Sequence, residues 1–199
     1  METADSRRLF TVGHSNLESE ALLRLLSAAG VTALADVRSS PYSRRLPHFN
    51  RPALEAALRA TGIAYVFLGA ELGGRPASAD LYDAEGWADY ERMRRTDEFH
   101  DGIHRVRRGL ERFSVALMCG EEDPLDCHRG LMITPALKEL GLAPLHLRRG
   151  GRIETTAQME ERLQVETGLG GLFAEGLAEA YRVMNRRKAY RIERGEDEF

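Results

Sequence analysis

Only two cysteines and one tryptophan occur among the 199 residues of this chain. So few thiols rule out a disulfide-stapled scaffold of the kind that small secreted domains use. No apolar run approaches the roughly 20 residues that cross a bilayer. The N-terminus, Met1-Glu2-Thr3-Ala4-Asp5-Ser6-Arg7-Arg8, lacks the apolar centre of a signal peptide. These absences point to a soluble, cytoplasmic protein with no membrane partner. An excess of positive charge is missing as well. With 28 Lys and Arg against 31 Asp and Glu, the formal charge is -3, so broad wrapping of nucleic acid is not supported, although local basic stretches can still contact phosphates.

What is present suits one ample core: 43% of residues are hydrophobic and 30% charged, in a chain too short for two full domains. Apolar runs predict strands at Phe10–Gly13, Val31–Val37, Ile63–Gly69, Val115–Cys119 and Ala143–Leu147. Helical spacing separates them, at Glu18–Ala29, Arg51–Thr61, Arg94–Arg108 and from Leu131 onward with Leu137 and Leu140 on one face. Further helices are expected at Thr155–Leu163 and Phe173–Ile192. Strands alternating with helices predict an α/β fold, a mostly parallel sheet flanked by helices in a Rossmann-like three-layer arrangement. Residues 1–163 form the α/β domain in this reading, and 164–199 a helical C-terminal extension whose Leu172, Phe173, Leu177 and Tyr181 dock back on it. The stretch Glu71–Glu91, with Tyr82, Trp87 and Tyr90, is longer than ordinary connections and reads as an ordered loop packed down by its aromatics.

The most informative segment is Asp126-Cys127-His128-Arg129-Gly130-Leu131-Met132, which follows a strand and the acidic turn Gly120-Glu121-Glu122-Asp123-Pro124. Cys127 falls at a helix start, where unpaired N–H groups and the neighbouring His128 and Arg129 favour a thiolate. Its rival reading is an inert, space-filling thiol. Cys119 closes a hydrophobic strand. His14, Asp36, Arg38 and Ser40 fall at or near the carboxyl ends of two other strands, the edge where open parallel sheets place ligands. Each has a plain structural explanation alone; together, on one predicted edge, they point to a site. His100 and His104 share a helix face but lack a third ligand, and read as a solvated basic surface.

The ordered motifs Thr11-Val12-Gly13-His14-Ser15-Asn16, Asp36-Val37-Arg38-Ser39-Ser40-Pro41-Tyr42-Ser43, Phe67-Leu68-Gly69 with Glu71-Leu72-Gly73-Gly74-Arg75-Pro76, and Cys119-Gly120-Glu121-Glu122-Asp123-Pro124 with Cys127-His128-Arg129 resemble the prokaryotic family called domain of unknown function 488. The resemblance spans Leu9 to about Leu163, leaving the extension outside. It implies an α/β fold with a polar pocket built from these motifs, and no reaction.

Three chemistries fit the cluster. In the first, Cys127 attacks an electrophilic centre while His14 or His128 moves protons, and Asp36, Arg38, Ser40, Tyr42, Cys119, Glu121 and Arg129 form the substrate-binding surround. Arg129 follows Cys127 by two positions, so the loop is not that of a tyrosine phosphatase, and the amide-rich loop of a rhodanese is also missing. In the second, Cys119, Cys127, His128 and His14 bind zinc, but the spacing is poor and the adjacent Cys127 and His128 are expected to point apart, so no metal ligand is assigned. In the third, a non-catalytic module recognises a nucleotide or another anion. The expected partner is a small, nucleotide-like molecule at a Cys127-dependent enzyme site. No cofactor and no oligomeric state are indicated.

Overall fold

In a computed structural model, which describes residues 8–169 and 175–192, six strands form one sheet. They are β1 (Leu9–Gly13), β2 (Ala33–Asp36), β3 (Ala64–Phe67), β4 (Val115–Cys119), β5 (Leu145–Leu147) and β6 (Ile153–Thr155), in the order β3-β2-β4-β1-β5-β6. All neighbours are parallel except β6, which runs antiparallel to β5 with Leu145 opposite Thr155. β1, β2 and β4 are buried along their whole length, as a parallel sheet covered on both faces requires.

Successive side chains of these strands divide between two apolar layers. Phe10, Val12, Leu34, Ala116 and Met118 join Leu22 and Leu26 of α1 (Ser19–Ala28) and Leu54 and Leu58 of α2 (Arg51–Ala60). Leu9, Ala33, Ala35, Val115, Leu117 and Cys119 face the opposite layer. There they meet α5 (Asp97–Leu110), α6 (Thr134–Glu139), α7 (Thr156–Thr167) and α8 (Glu175–Lys188), which follow the short helices α3 (Gly69–Leu72) and α4 (Tyr90–Met93) in the chain. The fold is therefore a three-layer α/β sandwich with a mostly parallel sheet.

Several boundaries differ from the sequence expectation for identifiable reasons. α5 begins at Asp97 instead of Arg94, because the Thr96 side chain accepts the Phe99 N–H and places two acids in the first turn. The Glu71–Glu91 stretch is a series of short elements closed by a bridge between Tyr82 and Ala88, with Tyr82 and Tyr90 buried. His100 and His104 lie on the exposed side of α5. β6 has no counterpart in the sequence reading. Leu140 lies beyond α6 and is half exposed, so it does not share the buried face of Leu137. The cause is the end of the helix: Leu140 is its C-cap (φ -92°, ψ 9°), past the last helical residue, Glu139. A π-helical turn at Arg129–Ile133 precedes α6, and Pro135, lacking an N–H, cannot restore the ordinary ladder there.

α8 is shorter than expected. The chain leaves it after Lys188 to lie along the 86–88 segment, with Ala88 N–H bonded to the Tyr190 carbonyl and Ile192 N–H to the Gly86 carbonyl. Ala180 and Met184 are buried in the same apolar layer as α5 and α7, and Leu177 and Tyr181 pack against it. Leu172 and Phe173 lie outside the described residues.

Candidate active site

The sheet order puts the carboxyl ends of β2, β4 and β1 side by side. Asp36 ends β2 and Cys119 ends β4, while His14 follows β1 directly. The chain after β1 is tied to the chain after β4: His14 N–H bonds to the Cys119 carbonyl at 3.1 Å, and Ser15 N–H to that of Gly120 at 2.7 Å. Ser15 accepts a left-handed φ of 43° there, a conformation that costs a non-glycine residue on the order of 1 kcal/mol.

Asp36 is fully buried and forms a forked ion pair with Arg38, Nε to Oδ1 at 2.9 Å and Nη2 to Oδ2 at 2.6 Å. The same carboxylate accepts the Arg38 N–H and the Tyr65 hydroxyl. Arg38 also donates to the Phe49 carbonyl at 2.9 Å and, from Nη1, to His14 Nε2 at 3.3 Å. Nδ1 of His14 lies 2.9 Å from the Ser15 carbonyl and therefore carries the hydrogen. Burial, with the Arg38 charge beside it, lowers the His14 pKa from 6.5 to about 4, so near neutrality its imidazole is uncharged with the Nε2 lone pair facing Arg38.

The thiols meet on one imidazole. Nδ1 of His128 is 3.6 Å from the sulfur of Cys119 and 3.6 Å from that of Cys127. Nε2 of His128 donates to the Val37 carbonyl at 2.9 Å, which fixes the ring and turns Nδ1 toward both sulfurs. Gly74 lies flat against this ring, and a Cβ there would come within 2.7 Å of His128 Cγ. Cys127 itself is extended (φ -147°, ψ 146°) at the end of a short turn over Pro124–Asp126. The chain turns helical at His128, and the Cys127 sulfur accepts the Arg129 N–H at 3.4 Å. Burial alone would raise the Cys127 pKa, yet a hydrogen bond from Cys119 and the charges of His128 and Arg129 hold it well below the ordinary thiol value. Cys119 is raised, first by donating that hydrogen bond and then by burial. The two sulfurs are thus inequivalent. Adjacent residues though they are, Cys127 and His128 point to the same spot, contrary to the sequence expectation.

Cys119, Cys127 and His128 bring their ligand atoms within 4.8 Å of one another. A tetrahedral ion with Zn–S about 2.3 Å and Zn–N about 2.0–2.1 Å separates sulfur from nitrogen by about 3.6 Å. The His128 bond to a backbone carbonyl is also the usual support of a metal-binding imidazole. These residues could hold a soft divalent ion.

Arg129 does something the sequence did not signal. Fully buried, it donates from Nη1 to the Glu121 carbonyl and from Nη2 to the Glu122 carbonyl, each at 2.6 Å, with Nε 3.4 Å from Thr11 Oγ1. Its guanidinium clamps the acidic turn. Gly130 permits the close approach, since a Cβ would sit 2.0 Å from the Pro124 carbonyl oxygen. Arg148, itself buried, ties Glu122 and Asp123 of the same turn to Glu154 of β6.

A cavity of about 460 Å³ opens over the sulfurs, within the roughly 300–1,000 Å³ of small-molecule sites. Of the candidate residues, His14, Arg38, Ser40, Tyr42, Cys119, Glu121, Cys127 and His128 line it. Asp36 and Arg129 lie behind its wall. Arg44 and Arg45, both exposed, are not part of the lining. The sequence reading missed Arg75, Tyr90, Asp126, Lys188 and Tyr190, all of which line the cavity. Two of these come from the C-terminal segment, where only the run of basic and aromatic residues Arg186-Arg187-Lys188-Ala189-Tyr190 offered a signal.

A three-layer α/β domain with paired thiols, a histidine and a buried Asp–Arg fork at the carboxyl edge of its sheet is thus the class that the fold and cavity define. The chain belongs to the family described as domain of unknown function DUF488, whose family model matches residues 18–134 and so takes in β2 to β4 and the Cys127 turn. No curated protein and no solved structure matches it. No helix among the described residues is long and apolar enough to cross a membrane.

Proposed function

We propose that this protein is a cysteine-dependent enzyme, a hydrolase or transferase, acting on a phosphate-bearing, nucleotide-like small molecule, with Cys127 as the nucleophile. The observation that carries this reading is the surround of the Cys127 sulfur, in contact with His128 Nδ1 and the Arg129 N–H at the floor of a polar cavity. Such contacts favour a thiolate, the form that attacks. In the reaction the sulfur forms a bond to the electrophilic centre, the leaving group departs with the bonding pair and takes a proton from His128 Nδ1, and water or an acceptor then cleaves the covalent intermediate. His128 Nδ1, having given up its proton to the leaving group, receives the proton of that water, and His14, its Nε2 lone pair facing Arg38, would join the proton transfers only by releasing that contact. Arg38, its other donors engaged by Asp36, Phe49 and His14, contributes one remaining N–H and Ser40 a hydroxyl to the polar surround of the reacting group, as secondary contacts. Arg129 acts through its field and through the shape of the turn, Nη1 and Nη2 each being held by a carbonyl of that turn.

The convergence of Cys119, Cys127 and His128 favours a second reading, in which the three hold zinc and Cys127 is a ligand. One experiment separates the two: alkylation of Cys127 followed by peptide mass spectrometry across pH, with Cys119 as internal control, with and without a chelator. Labelling that persists well below the ordinary thiol pKa of about 8.5 supports the nucleophile. Labelling that appears only after chelation, with zinc in the untreated protein, supports the metal. A Cys127 inert in both conditions overturns both readings.

A further inference from the structure

The outer wall of the cavity comes from a part of the chain that lies beyond the family match, which ends at residue 134. After α8 the backbone is bonded to the 86–88 segment at Ala88 and Gly86, and Asn185 adds two bonds to that segment's neighbours, Nδ2 to the Ala88 carbonyl and Tyr90 N–H to Oδ1. Ala189 is buried between them, while Lys188 and Tyr190 on either side line the cavity that holds Cys127. Both side chains have defined partners. Lys188 Nζ lies 2.6 Å from Asp126 Oδ1, the carboxylate of the residue just before Cys127. The Arg75 guanidinium stacks 4.7 Å from the Tyr190 ring centroid, a contact that holds an arginine's direction while leaving its N–H groups free. Among the described residues, no hydrogen bond or ion pair engages the Arg75 guanidinium.

We infer that the C-terminal segment is a recognition element for the phosphate of the ligand: Lys188 and the Tyr190-held Arg75 bind it at the cavity mouth, and Asp126 occupies Lys188 until the phosphate arrives. The inference rests on the nucleotide-like substrate proposed above and assigns residues to its anionic end. The Asp126–Lys188 pair is partly exposed on both sides, 46% and 40%, so exchanging a carboxylate for a phosphate costs little, whereas a buried pair would not open. A phosphate also offers more acceptors than the carboxylate it replaces, and Arg75 matches two of them at once. Tyr42, 65% exposed on the same cavity, offers a ring face to a base attached to the phosphate.

The test is isothermal titration of adenosine 5′-monophosphate, with inorganic phosphate alongside, into the full chain carrying Cys127→Ser so that no chemistry intervenes. Lys188→Ala in this background weakens binding of both probes by about fivefold or more, Asp126→Asn tightens it by about threefold because the lysine is released, and Tyr190→Leu weakens it by misaligning Arg75. If the pair is only a latch for the C-terminal segment, Asp126→Asn and Lys188→Ala shift affinity in the same direction, which overturns the inference. No measurable binding of either probe, or affinities unmoved by all three substitutions, also overturns it. Failure of the enzyme reading looks different. There Cys127 is inert to alkylation in the native chain while the affinity pattern persists.

Discussion

Removing the Arg38 fork tests whether that arginine is scaffold before it is ligand. Arg38→Met keeps much of the apolar stem and leaves the Asp36 carboxylate, 0% exposed, with the Arg38 backbone N–H and the Tyr65 hydroxyl as its remaining donors. Two charge-assisted bonds at 2.9 and 2.6 Å disappear, each worth about 1.5–3 kcal/mol, and the Phe49 carbonyl loses its donor. Stranding one member of a buried pair costs about 3–5 kcal/mol, a large part of the roughly 5–15 kcal/mol that holds a domain of ordinary stability. Urea denaturation at pH 7, followed by the fluorescence of Trp87, reads this as a fall in midpoint at unchanged slope. Arg38→Lys keeps the charge without the fork and falls between the two. Pairing Arg38→Met with Asp36→Leu removes the stranded charge and recovers at least half of the loss. A cost below about 1 kcal/mol for Arg38→Met, the range of exposed pairs, would refute the reasoning and free Arg38 to be a primary anion ligand.

Acid should weaken the fold in a defined window. His14 is held neutral down to about pH 4 against 6.5 unfolded, so the unfolded chain takes up the proton first. Stability is full above pH 6.5 and declines by up to about 3 kcal/mol as pH falls toward 4. Buried His146, lowered to about 3 chiefly by burial, steepens the loss, and thermal melts of His14→Gln show a shallower slope over the same range. Gly74→Ala drives a methyl into the His128 ring, so Cys127 alkylation at pH 6 slows severalfold; an unaltered Cys127 rate would show that ring position does not govern the thiol. Cys119→Ala removes the hydrogen bond to the Cys127 thiolate, and the pH midpoint of Cys127 labelling moves up, as it does not for the remote Val165→Ala.

What could be read from the sequence was what depends on neighbours in the chain. Val115–Cys119 and Leu9–Gly13 are apolar, bounded by turn residues and long enough to identify as strands. Gathering His14, Arg38, Cys119 and Cys127 at one edge followed from the rule that parallel strands share a carboxyl end. β6 escaped notice because Ile153-Glu154-Thr155 is too short for a period of two to stand out. The π turn at Arg129–Ile133 has no periodic signature, and α6 stops one residue short of Leu140, which apolar spacing alone does not reveal. Arg129 read as an anion ligand because its partners are carbonyls, which no side-chain pattern records. Lys188 and Tyr190 were out of reach for another reason. Their place in the cavity depends on backbone pairing with the 86–88 segment, about a hundred residues away in the chain.

The strand order has a consequence for how the protein is made. β1 and β2, the first two strands in chain order among the described residues, do not pair with each other; β4 lies between them and β1 takes its other partner from β5. Until residues 115–119 have left the ribosome, β1 has no strand to pair with, and the His128 ring finds its carbonyl 91 residues back along the chain. Contacts of such long range make folding slow and leave intermediates exposed. β4 is therefore the keystone of assembly, and Cys119 at its end and Cys127 shortly after it emerge with it, so both thiols appear only when the strand that buries them is at hand.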